Sequence, residues 1–153
     1  MKLFRYCSLL TILILNVLFF SCKKKVDQAT SDDRIIKQYI SDNNLNATAT
    51  GSGLYYVIST QGTGAQPNSG STVTVKYKGY LTNGTVFDQT GNSGASFGLG
   101  NVIKGWQEGI PLFKKGGKGM LLIPSALGYG DQAQGSIPAN SVLIFDIELM
   151  DVK

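Results

Sequence analysis

Asp146 and Glu148 stand two apart in the run SVLIFDIELMDV near the end of the chain. In a strand, residues two apart share a face, so these carboxylates form a candidate acid–base pair. A solvated strand face explains the spacing more simply. Histidine is absent, and the two cysteines, Cys7 and Cys22, both lie near the N-terminus. A zinc site and a histidine-based triad are therefore excluded, and a serine nucleophile would lack its base. The glycines of GTGAQPNSG and GLGNVIKG do not sit at the strand–loop–helix spacing of a phosphate loop. No cofactor is expected.

A set of rings at loop edges remains: Tyr77, Phe87, Phe97, Trp106, Tyr129 and Phe145. An apolar pocket with few polar groups needs such residues. An ordinary core needs them too, and composition does not choose between the two. Trp106 is the only tryptophan and lies in the short stretch NVIKGWQEGI, directly after Gly105.

The elements that must hold these rings read mostly as strands. The chain has 153 residues, 42% of them hydrophobic, which is enough for one compact domain plus extensions. Its 19 glycines favour a turn-rich β or α+β domain over a helical bundle. LYYVIST is a strand candidate. In STVTVKYKGYL, Val73, Val75 and Tyr77 alternate with Thr74, Lys76 and Lys78, the pattern of a half-buried strand. Asn83-Gly84 signals a turn into TVFD. MLLIP is a further strand, residues 125–141 read as a long loop, and Leu143, Phe145, Ile147 and Leu149 share a face of the last strand. The sum is α+β: about five antiparallel strands with one short central α-helix at NVIKGWQEGI.

The beginning of the chain has a different character. Lys2 and Arg5 precede an almost unbroken apolar run from Leu9 to Phe20, the pattern of a secretory signal. A bilayer span needs about 20 apolar residues, and this run is shorter. It ends in LFFSC, which resembles a bacterial lipobox, with Phe19 where leucine is usual. That resemblance implies cleavage after residue 21 and lipid on Cys22; a signal cut elsewhere or kept as an anchor is the alternative. Without Lys2 and Arg5, 12 basic residues stand against 10 acidic ones, which gives no argument for nucleic acid. The polar residues 22–33, with KKK at 23–25, read as a flexible tether. Ile35, Ile36, Tyr39 and Ile40 then share a helical face, with Asp32 or Asp33 placed to cap it. This short amphipathic helix and a loop to residue 50 precede the main domain, 51–153. The helix could pack on its own domain or on a second copy, and the sequence leaves both open.

Taken together, four segments resemble the FKBP-type peptidyl-prolyl isomerases: VTVKYKGYLTNGTVFD at 73–88, VIKGWQEGI at 102–110, LGYG at 127–130 and SVLIFDIELMDV at 141–152. The resemblance covers residues 53–153. The signal, tether and leading helix also resemble lipoprotein members of the family in Gram-negative bacteria. It implies an antiparallel sheet wrapped around a short helix, with a pocket for proline-containing polypeptides and macrolide inhibitors. It further implies that Tyr77, Phe87, Phe97, Val102, Ile137 and Phe145 line the pocket and that Trp106 is its floor. Asp88 becomes the polar group beside the substrate, and the Ile103 amide and Tyr129 hydroxyl become donors.

The chain also departs from the family's pattern. Ala95 stands where an aromatic is common, the flap near Ala133 lacks a bulky residue, and QTGNSGA lacks the arginine that usually pairs with the pocket aspartate. The 15 residues between Tyr129 and Phe145 are too few for the chaperone domain some members insert there. Two activities fit: prolyl isomerisation of exported proteins, or peptide binding without catalysis. Lys23 follows Cys22 where an enteric retention signal would have aspartate, so outer-membrane placement is the expectation.

Overall fold

The alternation of Val73 and Val75 with polar neighbours builds a strand in which both valines are fully buried. A computed structural model describes residues 27–153. The expected signal, the lipidation site Cys22 and the first part of the expected tether lie outside the described residues. Seven strands form one antiparallel sheet among the described residues: β1 (Thr48–Ala49), β2 (Tyr55–Thr60), β3 (Thr72–Leu81), β4 (Val86–Gln89), β5 (Ala95–Gly98), β6 (Lys118–Ile123) and β7 (Leu143–Val152). The order is β1-β2-β6-β7-β3-β4, and β5 also pairs with β3. One edge of β3 thus runs along β7, while the other is shared by β5 at Thr72–Val75 and β4 at Lys78–Tyr80.

About five strands were expected from the sequence. The two extra ones, β1 and β5, are two and four residues long. Neither is long enough for an alternating pattern to show. The residues expected to be a loop before position 51 therefore contribute a strand to the sheet.

Side chains alternate across β6. Leu121 and Ile123 enter the main core with Leu54, Val73, Val75, Ile110, Phe113 and Leu149. Leu122, between them, faces a second cluster with Ile36 and Val142. The two faces are covered by two helices: α1 (Gln28–Asp42) and α2 (Lys104–Gly109).

Helix α1 starts six residues earlier than expected, and residues 28–33 are helix rather than tether. Asp27 is the N-cap: its carboxylate accepts from the Thr30 N–H at 2.8 Å and from the Thr30 hydroxyl at 3.1 Å. The first turns, QATS, carry no apolar stripe, so only this local capping bond marks the start. Asp32, expected near the cap, is instead buried where the helix meets Ser125, just after β6. The helix packs on its own domain. Ile36 is fully buried, Ile35, Tyr39 and Ile40 surround it, and the Tyr55 hydroxyl donates to Asp33 at 2.8 Å.

The long loop expected at 125–141 has internal order. A 3-10 turn spans Ser125–Leu127, and Gln134 and Ile137 exchange backbone bonds of 2.9 Å each way.

Candidate active site

Helix α2 is short, and it reaches the sheet because it shows glycine to it. A Cβ on Gly105 would lie 2.5 Å from the Ile123 side chain, and one on Gly109 would lie 2.7 Å from Leu121. The two are one helical turn apart, so the helix settles against β6 along a face without side chains. Trp106, adjacent to Gly105, is thereby carried over the sheet and is only 4% exposed.

Rings meet the indole edge-on. Tyr77 from β3 lies 5.0 Å from it between centroids, Phe145 from β7 lies at 5.3 Å, and Phe97 from β5 lies at 5.5 Å. Phe87 from β4 continues the wall, T-shaped against Phe145 at 5.5 Å. Edge-to-face contacts at these distances favour a rigid assembly. The register accounts for the convergence, since Tyr77 faces Ile147 and Gly79 faces Phe145 across β3 and β7. Gly79 is necessary to it. A Cβ there would sit 2.5 Å from the Phe87 ring and 2.8 Å from Phe145.

These rings line an open pocket of about 540 Å³. Every pocket residue expected from the sequence lines it: Tyr77, Phe87, Asp88, Phe97, Val102, Ile103, Trp106, Tyr129, Ile137 and Phe145. Cys22, the expected lipid site, lies outside the described residues. Asn101, Gln134, Gly135 and Ser136 also line the cavity and were not anticipated. Asn101 ends a 3-10 turn and the others sit in a loop, segments without periodicity where the sequence carried no signal for them. Gly79 did carry one, because glycine inside a strand marks a close approach.

The polar groups sit at the rim. Asp88 is exposed, and no salt bridge among the described residues involves it. Its partner is Tyr77, whose hydroxyl donates to Asp88 at 2.5 Å. Burial, and then this bond to a carboxylate, push the Tyr77 phenol far above its ordinary range, so it remains a donor. Thr90 holds the Tyr77 backbone from both sides: its hydroxyl accepts from the Tyr77 N–H at 3.0 Å, and its N–H donates to the Tyr77 carbonyl at 3.0 Å.

Ile103 is the N-cap of α2 and offers no side-chain bond there. Its own N–H has no acceptor among the described residues and lies beside the cavity. The Gln107 amide steadies the preceding residue by donating to the Val102 carbonyl at 2.8 Å. Tyr129 is 38% exposed, and its hydroxyl has no partner among the described residues. The Trp106 Nε1 is buried and equally unpartnered. The site therefore offers an apolar floor, apolar walls and uncommitted donors.

The acid–base candidates lie elsewhere. Asp146 accepts from the Tyr80 hydroxyl at 3.2 Å, and Glu148 pairs with Lys118 at 3.1 Å. Both belong to the outer sheet face. Among the described residues, no group of three or more His, Cys, Asp or Glu side chains could hold a metal ion.

This sheet, helix and pocket define the FKBP-like fold, and residues 63–150 match the family described as FKBP-type peptidyl-prolyl cis-trans isomerase. The chain belongs to that family. Among its relatives is FkpA of Aeromonas hydrophila, 41% identical over 136 residues, which are 86% of this chain and 51% of that protein. The crystal structure of Escherichia coli FkpA has a TM-score of 0.73 at 39% identity, covering 83% of this chain and 61% of that one. A peptidyl-prolyl isomerase structure from Pseudomonas syringae also gives 0.73, at 29% identity, covering 82% and 93%. The chain spans about half the length of the curated relatives it matches.

Proposed function

We propose that this chain is a peptidyl-prolyl cis-trans isomerase acting on proline-containing segments of exported polypeptides. The observation that carries the reading is the buried Trp106 ringed by Tyr77, Phe97 and Phe145, with donors at the rim that have no acceptor among the described residues.

Resonance makes the peptide C–N bond partly double, with a rotation barrier of about 18–20 kcal/mol. Before proline both isomers are populated, and they exchange in roughly 10–100 s. Rotation to the twisted state breaks the resonance and reduces the charge separation between O and N. A dry apolar pocket therefore favours the twisted amide over the planar one, which is differential binding of the transition state. A thousandfold acceleration requires only about 4 kcal/mol of it.

In this reading the proline ring rests on the indole face of Trp106. Phe87, Phe97, Val102, Ile137 and Phe145 exclude water around it. The Ile103 N–H and the Tyr129 hydroxyl donate to carbonyls flanking the bond. Asp88 orients the Tyr77 wall through the 2.5 Å bond. No proton is transferred, which fits a chain without histidine. Macrolide ligands that present a proline-like ring would occupy the same floor.

NMR exchange spectroscopy on a short Xaa-Pro peptide tests the reading. Acceleration of cis–trans exchange by substoichiometric protein is expected, and its absence rejects catalysis. Asp88, which has no cationic partner among the described residues, favours a second reading, a peptide-binding or chaperone module that does not catalyse. Peptide binding without acceleration would support that one.

The location is also proposed. Lipid on Cys22 would anchor the chain at the outer membrane, with residues 23–26 separating the anchor from the Asp27 cap. Each buried methylene contributes about 0.8 kcal/mol, so several acyl chains hold firmly.

A further inference from the structure

Among the described residues Tyr129 has no side-chain bond, so its placement in the pocket depends on its backbone. That backbone is held from Ser125. The Ser125 carbonyl accepts from the Gly128 N–H at 2.9 Å and from the Gly130 N–H at 2.8 Å, the residues on either side of Tyr129. Gly130 in turn accepts from the Asn140 N–H at 2.7 Å, tying the turn to the loop before β7.

Ser125 is itself held by helix α1. The Asp32 carboxylate accepts from the Ser125 N–H at 2.8 Å and from the Ser125 hydroxyl at 2.6 Å, both at Oδ2. Its other oxygen accepts from the Gln28 amide at 2.6 Å. Asp32 and Ser125 are each 1% exposed. A buried carboxylate is tolerated when donors surround it, and both oxygens here are engaged. Two of the three bonds end on the residue that frames Tyr129. Asp32 lies outside the stretch that matches the family, residues 63–150.

We propose that Asp32 is a positioning residue for Tyr129, and that α1 is thereby a working part of the isomerase site. The proposal rests on the isomerase reading. Asp32 makes no contact with substrate; it fixes Ser125, and the Ser125 carbonyl fixes the turn that aims the phenol. A donor displaced by about 1 Å can lose much of its effect on rate.

The test uses the full chain and a double-mutant cycle. Asp32→Asn keeps the side chain's shape but removes its charge and one acceptor, and it is combined with Tyr129→Phe. In Asp32→Asn, hydrogen exchange at the Gly128 and Gly130 amides should quicken about tenfold, with β7 amides unchanged. Both kcat/KM for an Xaa-Pro peptide and affinity for it should fall about tenfold when Tyr129 is present. Neither should fall further in the Tyr129→Phe background. A merely structural role would produce the same fold-loss in both backgrounds, and that result overturns the proposal, as does unchanged exchange at Gly128 and Gly130. Ser125→Ala provides the same cycle if Asp32→Asn fails to fold. A wild-type chain that does not accelerate exchange sinks the isomerase reading alone, because amide exchange and peptide affinity still decide the role of Asp32.

Discussion

Tyr77 does two jobs with one side chain. Its ring packs edge-on against Trp106, and its hydroxyl supplies the exposed Asp88 with a bonded partner. The sequence showed the missing arginine at QTGNSGA but not this replacement, because the bond joins β3 to β4 and depends on their register. The phenol's upward shift has a consequence for stability. Its ordinary value is 10.0, and burial and Asp88 raise it in the folded chain. Below pH 10 the phenol is protonated whether folded or not, and the contribution is fully present. Above pH 10 the unfolded chain releases the proton first, so stability falls as pH rises toward the folded value. Urea unfolding between pH 9 and 11 should show wild type losing more stability than Tyr77→Phe. Equal losses would mean that Tyr77 is not held as described.

At the scale of elements, β3 and β7 were legible because burial on one face imposes alternation on long strands, and β6 because burial on both faces makes a short continuous apolar run. The start of α1 was not, because the turns after Asp27 carry a capping bond and no apolar stripe. The pocket rings were legible through four spaced segments together, whereas composition alone could not separate a pocket from a core. Asn101, Gln134 and Ser136 were hidden because residues of short turns and loops reach the site through backbone geometry. The weight placed on α2 is testable. Gly105→Ala puts a methyl 2.5 Å from the Ile123 side chain, so that side chain or the helix must shift. Overpacking of this kind costs about 1–3 kcal/mol. Denaturant unfolding should show that loss, together with weaker binding of a proline peptide as Trp106 shifts. A fully stable, fully binding variant would contradict the close-packed seat of the indole.

The whole molecule places the pocket on one face of a sheet whose other face carries α1. The proposed anchor lies before that helix. Cys22→Ala should therefore move the protein from the membrane fraction to the soluble fraction without altering exchange activity; persistent membrane attachment would contradict lipidation at that residue. The central claim is that an apolar pocket floored by Trp106 lowers the barrier to rotation. Its most direct test is cis–trans exchange of a short Xaa-Pro peptide, followed by NMR with the protein at catalytic concentration, beside Trp106→Ala. The account predicts that wild type brings exchange well below the uncatalysed 10–100 s and that Trp106→Ala loses most of the acceleration. Exchange at the uncatalysed rate with wild type, or full acceleration by Trp106→Ala, would contradict it.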